Sequence, residues 1–248
     1  MSEAAFYDAV RPLFGGRLNQ RQVQGLAILV DATAHLKLPY RAYLLATAQW
    51  ETAHTMQPVR ETLASTDAQA IARLDTAWAK GKLKSVSKPY WRKDADGKAW
   101  FGRGYVQLTH KFNYERASKL TGVDLVADPS KAMIPAVAAK ILVDGSVDGM
   151  FTGKRLSTYL DGEIPDYVRA RAVINGSNKA NDIAKLARTY AKALALLPKP
   201  APVIDAEPAP APVLPIDTPA VAEPDTETQP GPLARLWAAL TAIFRTSK

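Results

Sequence analysis

The sequence predicts a mainly α domain, followed by a linker and a short amphipathic helix. Three observations carry this. Apolar residues recur three and four apart through most of the first 197 positions, the repeat of a helix with one buried face. Strand-like alternation is scarce over the same stretch. Residues 198–232 then hold eleven prolines interleaved with Ala, Val, Asp, Glu and Thr, a composition that cannot bury a core and reads as a disordered, extended linker.

Asn19 is an N-cap candidate for a helix through Val23, Leu26, Ala27, Val30 and Ala34. A second helix starts near Pro39 and Tyr40, with proline suited to the first turn. It passes through Leu44, Leu45 and Ala48 to about Met56, where Pro58 should end it. Residues 62–80 form a weaker helix. Residues 80–104 read as a long loop with a short hairpin, because Asp94-Ala95-Asp96-Gly97 is a turn signal. Helical patterns return at 111–122, at 130–149 after Asp128-Pro129, at 156–160, and at 178–196. In residues 233–248, Leu233, Leu236, Trp237, Leu240, Ile243 and Phe244 share one face, with Arg235 and Arg245 opposite. This segment suits a membrane interface, and its other readings are docking on the domain or on a second copy, or disorder.

Charge is unevenly distributed. Residues 198–248 carry four basic against six acidic side chains, whereas residues 1–197 carry 28 against 18, a net of +10. Such a domain favours an anionic partner: nucleic acid, acidic lipid or a cell-wall polymer. The absence of cysteine excludes disulfides and thiol catalysis and fits a reducing compartment. The first residues, Met1–Asp8, lack a basic, apolar leader. The expectation is a monomer made in a bacterial cytoplasm without a signal peptide.

Two segments carry chemistry. In Ala48–Thr55, Glu51 lies beside Trp50 on an apolar helix, where an unpaired charge is costly. A carboxyl desolvated in this way has a raised pKa and suits proton donation to a glycosidic oxygen. Pairing with Arg41 or Arg60, or exposure, is the competing reading. Glycoside cleavage by inversion needs a second carboxylate, roughly 6.5–9.5 Å away, to activate water. Glu61 would be about 15 Å along a continuous helix, but a turn at Pro58 brings it back across a cleft. Glu61 as a helix N-terminal charge is the alternative. In Gly102–Tyr114, the glycines permit tight turns. Gln107, Thr109, His110 and Asn113 offer hydrogen bonds to sugar hydroxyls, acetamido groups or water. Alternation of Tyr105, Gln107 and Thr109 suggests an extended segment with these three on one face. Tyr90, Trp91 and Trp100 either stack on sugar or pack in a core.

Gly102–Tyr114 resembles the signature of glycoside hydrolase family 19, the chitinase and phage-endolysin group: Gly-Arg-Gly, two hydrophobic residues, Gln, Leu or Ile, Ser or Thr, three variable positions and Asn-Tyr. The resemblance extends to Ala138–Leu142, Gly149–Leu156 and Ala170–Gly176, and covers about residues 15–197. It implies a lysozyme-like, two-lobed helical fold and an inverting mechanism without metal or cofactor. Three scattered histidines, His35, His54 and His110, agree with the lack of a metal site. It also implies that Glu51 is the general acid and Glu61 the base, that Thr109 positions water, and that Gln107, Asn113 and Asn175 line the sugar sites. Tyr105 and His110 join them as candidate substrate-binding residues. Two positions depart from the family pattern: Trp50 stands where many chitinases have His, and Ala53 where they have Gly.

Chitin is neutral, whereas a basic, leaderless chain fits an endolysin that cuts the N-acetylmuramic acid/N-acetylglucosamine strands of peptidoglycan after release to the cell wall. The alternatives are a chitinase, a lytic transglycosylase using Glu51 alone, and a basic wall-binding module without activity. The ordered Gln, Thr and Asn row argues against nucleic acid.

Overall fold

A computed structural model describes residues 3–84 and 86–198. The linker beyond Pro198 and the 233–248 helix lie outside the described residues. Ten elements follow in order: α1 (Glu3–Val10), α2 (Gln20–Ala32), α3 (Leu38–Glu51), β1 (Val59–Arg60), α4 (Asp67–Ala79), β2 (Arg103–Gly104), α5 (Lys111–Thr121), α6 (Pro135–Asp148), α7 (Ser157–Leu160) and α8 (Ala180–Leu194). Short 3-10 turns punctuate them. The fold is mainly helical, as the sequence predicts.

Local chemistry explains most of the boundaries. Asn19 caps α2 reciprocally with Gln22: the Gln22 amide donates to Asn19 Oδ1 at 2.9 Å, and the Asn19 amide donates to Gln22 Oε1 at 3.0 Å. Thr66 caps α4 by accepting from the Gln69 amide at 3.2 Å. The helix expected over 130–149 is split, because Pro135 cannot continue the 3-10 turn Pro129–Met133 and instead starts α6. α1 was not visible as a helix in the sequence. It buries Phe6 and Val10, one turn apart, and packs on α8.

The central helix is α3, which packs along α8. It is apolar around its circumference and has ten buried positions, as a helix covered on all sides must. It stops at Glu51, five residues before the expected end, and Pro58 is not the cause. Ala53 and His54 have φ of +50° and +65°. The His54 amide bonds back to the Gln49 carbonyl at 2.7 Å, and the Ala53 amide to that of Trp50 at 3.2 Å. This pair of bonds closes a helix through a left-handed residue that is usually glycine. Here it is alanine, a residue that carries no stop signal.

The buried apolar residues form two clusters. The larger is built from α1, α2, α3, α6 and α8, with Tyr105, Trp100 and Tyr114 inside it. The smaller joins α4 to the 80–101 loop through Leu74, Ala77, Leu83, Trp91 and Phe101. Two cores are the physical content of a two-lobed fold. Trp91 and Trp100 pack rather than stand free: Trp91 Nε1 donates to Asp75 at 3.0 Å and Trp100 Nε1 to Asp94 at 2.7 Å. Between the lobes, β1 and β2 pair antiparallel, Val59 opposite Gly104 and Arg60 opposite Arg103.

Replacing Ala53 by glycine should remove the strain of a Cβ at positive φ. Unfolding stability is expected to rise by about 0.5–1 kcal/mol, a melting-temperature gain of about 1–4 °C in thermal denaturation. A fall would show that the turn is not strained.

Candidate active site

Ending α3 at Glu51 leaves this carboxylate in the last turn, 5 % exposed. A buried charge requires a counter-charge, and Arg171 supplies it: Nη1 lies 2.7 Å from Glu51 Oε1, both side chains being almost wholly buried. The contact is ionic without the angles of a hydrogen bond, so neither atom has a hydrogen-bond partner. Neither arginine weighed from the sequence fills this role. Arg60 instead donates to Asp67 at 2.6 Å. Arg171 sits in the 3-10 turn Arg169–Val173 and also donates from Nε to the Asn178 carbonyl at 3.1 Å. It lies within the Ala170–Gly176 block, where the sequence pointed only to Asn175.

The Gly102–Tyr114 segment is a tight hairpin rather than an extended face. Arg103 and Leu108 exchange backbone hydrogen bonds of 3.2 and 2.8 Å across the turn 105–107. Gln107, at φ +54°, donates from Nε2 to the carbonyls of Val59 at 3.0 Å and Gly104 at 3.2 Å. Its acceptor Oε1 is left without a partner. Gly102 permits this approach, since a Cβ there would stand 2.8 Å from Oε1. Thr109 Oγ1 donates to the Gln107 carbonyl at 2.7 Å, and Asn113 Nδ2 to the Thr109 carbonyl at 2.8 Å. The polar row is therefore tied down by its donors, and the oxygens Gln107 Oε1, Thr109 Oγ1 and Asn113 Oδ1 keep capacity to accept.

A cleft open to solvent brings together Glu51, Gln107, Thr109, Asn113 and Asn175. Its apolar lining is Val106, Leu108, Phe151 and Ile174. Asn175 faces the row from the chain following the Arg171 turn, where its amide bonds to the Arg171 carbonyl at 3.0 Å. Among the described residues, no group of three His, Cys, Asp or Glu could hold a metal ion.

Three sequence candidates do not line this cleft. Tyr105 is fully buried in the larger core, its hydroxyl 3.4 Å from the Met56 carbonyl. The turn at 105–107 breaks the alternation that would have put it beside Gln107 and Thr109. His110 is exposed before α5, its ring 4.9 Å from that of Tyr90. Glu61 does return after Pro58, through the β1–β2 pair, but it comes to rest against Gly102. Its Oε2 accepts from the Gly102 amide at 2.8 Å and its Oε1 from the Tyr90 hydroxyl at 2.7 Å. Burial pushes its pKa above the ordinary glutamate value, outweighing these two donors and Arg103. Burial, with the Glu61 carboxylate beside it, also raises that of Tyr90.

Residues 75–143 match the glycoside hydrolase family 19 model described as chitinase class I. This segment contains the C-terminal part of α4, the loop, the Arg103–Leu108 hairpin, Thr109 and Asn113, while Glu51, Arg171 and Asn175 lie outside it. Among solved structures, the chain is similar to chitinase C from Streptomyces griseus HUT6037, at 20% identity and a TM-score of 0.45 over 78% of this chain and 76% of that one. It is similar to a mutant of chitinase C at 21% identity and 0.47, over 81% and 95%. It is also similar to a bacterial family 19 chitinase at 21% and 0.43, over 79% and 96%.

A folded-state pKa raised above the ordinary glutamate value of 4.5 means that the native protein holds the Glu61 proton to higher pH than the unfolded chain does. Stability contributed by the neutral form is then lost as pH rises from 4.5 through the folded value. In urea unfolding, wild type should lose stability relative to Glu61→Gln as pH increases over that window. Parallel curves would contradict the shift.

Proposed function

We propose that this chain, which matches the family 19 model over residues 75–143, is a chitinase-like glycoside hydrolase that cleaves the N-acetylmuramic acid/N-acetylglucosamine strands of peptidoglycan in the manner of an endolysin. The observation that carries this reading is the convergence of one buried carboxylate, Glu51, with Gln107, Thr109, Asn113 and Asn175 in a single cleft. Glu51, after taking up a proton from the solvent in the open cleft, donates it to the leaving glycosidic oxygen, and the ion pair with Arg171, 2.7 Å away, re-forms on the carboxylate left behind. Thr109 Oγ1 and Gln107 Oε1 accept from the attacking water or from sugar N–H and O–H groups. Asn113 and Asn175 hold hydroxyl and acetamido groups on either side. The net charge of +10 over residues 1–197 favours an anionic wall polymer over neutral chitin.

In the inverting reading Glu61 takes the proton of the water. A specific observation favours a second reading: Glu61 is engaged by Tyr90 and Gly102 and does not line the cleft. A lytic transglycosylase needs one acid only, because the sugar's own hydroxyl replaces water as the nucleophile.

Mass spectrometry of digested, purified peptidoglycan separates these outcomes, with chitin oligomers as the comparison substrate. Reducing-end muropeptides, formed faster than chitin products, are expected. Anhydro-muramyl ends would replace hydrolysis by transglycosylation, and faster cleavage of chitin would overturn the peptidoglycan assignment.

A further inference from the structure

The apolar side of the cleft is not uniform. Val106 and Leu108 are 7 % and 3 % exposed, whereas Phe151 and Ile174 are half-buried. Phe151 follows the left-handed Gly149, at φ +76°, that ends α6. Its ring lies directly over Gly145, one turn back in that helix. A methyl group on Gly145 would fall 2.7 Å from Phe151 Cζ and 3.0 Å from Cε2. The ring therefore occupies the space that any other residue at 145 would fill. On either side the chain is fastened. The Met150 amide bonds to the Gly145 carbonyl at 2.8 Å. Thr152 Oγ1 donates to the carbonyls of Ala172 and Val173 at 2.7 and 3.0 Å, next to the cleft residues Ile174 and Asn175.

We propose that Phe151 is a sugar-stacking residue that sets affinity in this cleft, and that Gly145 is its positioning residue. The inference rests on the reading that the cleft takes a glycan. A pyranose ring and its acetamido methyl present C–H groups, and an aromatic surface removes them from water. A ring already seated in a notch loses little side-chain freedom when substrate arrives, so affinity is gained without an ordering cost. Phe151 bears no group that reacts, so its contribution falls on KM rather than kcat.

Steady-state kinetics on solubilised peptidoglycan strands and on an N-acetylglucosamine hexamer test this, using Phe151→Ala, Gly145→Ala and the double variant in the full chain. Each single change should raise KM about three- to tenfold on the substrate that wild type turns over faster, with kcat within about twofold. The double variant should be no worse than Phe151→Ala, because position 145 acts only through the ring. The clash created by Gly145→Ala falls on the far end of a side chain, so that variant should melt close to wild type. Should it fail to fold, Phe151→Ala carries the test alone, and an unchanged KM there overturns the proposal. An unchanged KM in a folded Gly145→Ala, or a double variant whose effect is the product of the singles, overturns it equally. If wild type cuts neither substrate, the glycan reading fails and takes the proposal with it. Cleavage by wild type with KM unmoved in the variants removes the proposal only.

Discussion

The buried ion pair between Glu51 and Arg171 is the constraint on which the cleft depends. Each member is almost entirely withdrawn from water, and removing one partner of such a pair typically costs about 3–5 kcal/mol. That magnitude is a large share of the net stability of a domain. It fixes the end of α3 to a turn 120 positions later in the chain. Arg171 also reaches the Asn178 carbonyl, so one guanidinium holds both the carboxylate and the backbone around Asn175. The acid and the opposite wall of the cleft are thus positioned by the same side chain. The early, left-handed termination of α3 is its counterpart, because a helix continued to Met56 would bury Glu51 at mid-helix.

A second arginine performs the corresponding task for the smaller lobe. Arg103, with a side chain only 1 % exposed, lies 2.6 Å from Asp67 on α4 and 3.7 Å over the Phe101 ring. It also donates to the Ala99 carbonyl and the Tyr114 hydroxyl, each at 2.9 Å. Burial alone would raise the pKa of Asp67, but hydrogen bonds from Arg60 and Arg103 outweigh it and hold the carboxyl below its ordinary value. This clasp joins both cores to the hairpin that presents Gln107 and Thr109. These contacts hold the hairpin, and with it the polar row, in one orientation.

What could be read from the sequence was chemistry confined to short segments. Asn19 capped its helix because an N-cap needs only its own next three residues. Glu51, Gln107, Thr109 and Asn113 stand out by residue type and spacing, Asn175 only through the family resemblance, and all five meet in one cleft. What escaped depended on distant or left-handed backbone. Arg171 could not be chosen over Arg41 or Arg60, because the choice is made by packing between α3 and a remote turn. Tyr105 was assigned by strand alternation, and a turn at positive φ defeats that rule. The end of α3 was hidden because alanine occupies a position where glycine would have announced it. Glu61 did turn back after Pro58 as the spacing suggested, but which face it met was decided by the β1–β2 pairing and by Tyr90.

In the proposed function Glu51 is the proton donor of this cleft. Turnover of purified peptidoglycan by Glu51→Gln, on protein shown by near-ultraviolet circular dichroism to be folded, tests it most directly. A loss of about 10²–10⁴-fold in kcat is expected, the range for removing a general acid. A folded Glu51→Gln variant within a few-fold of wild type would contradict it.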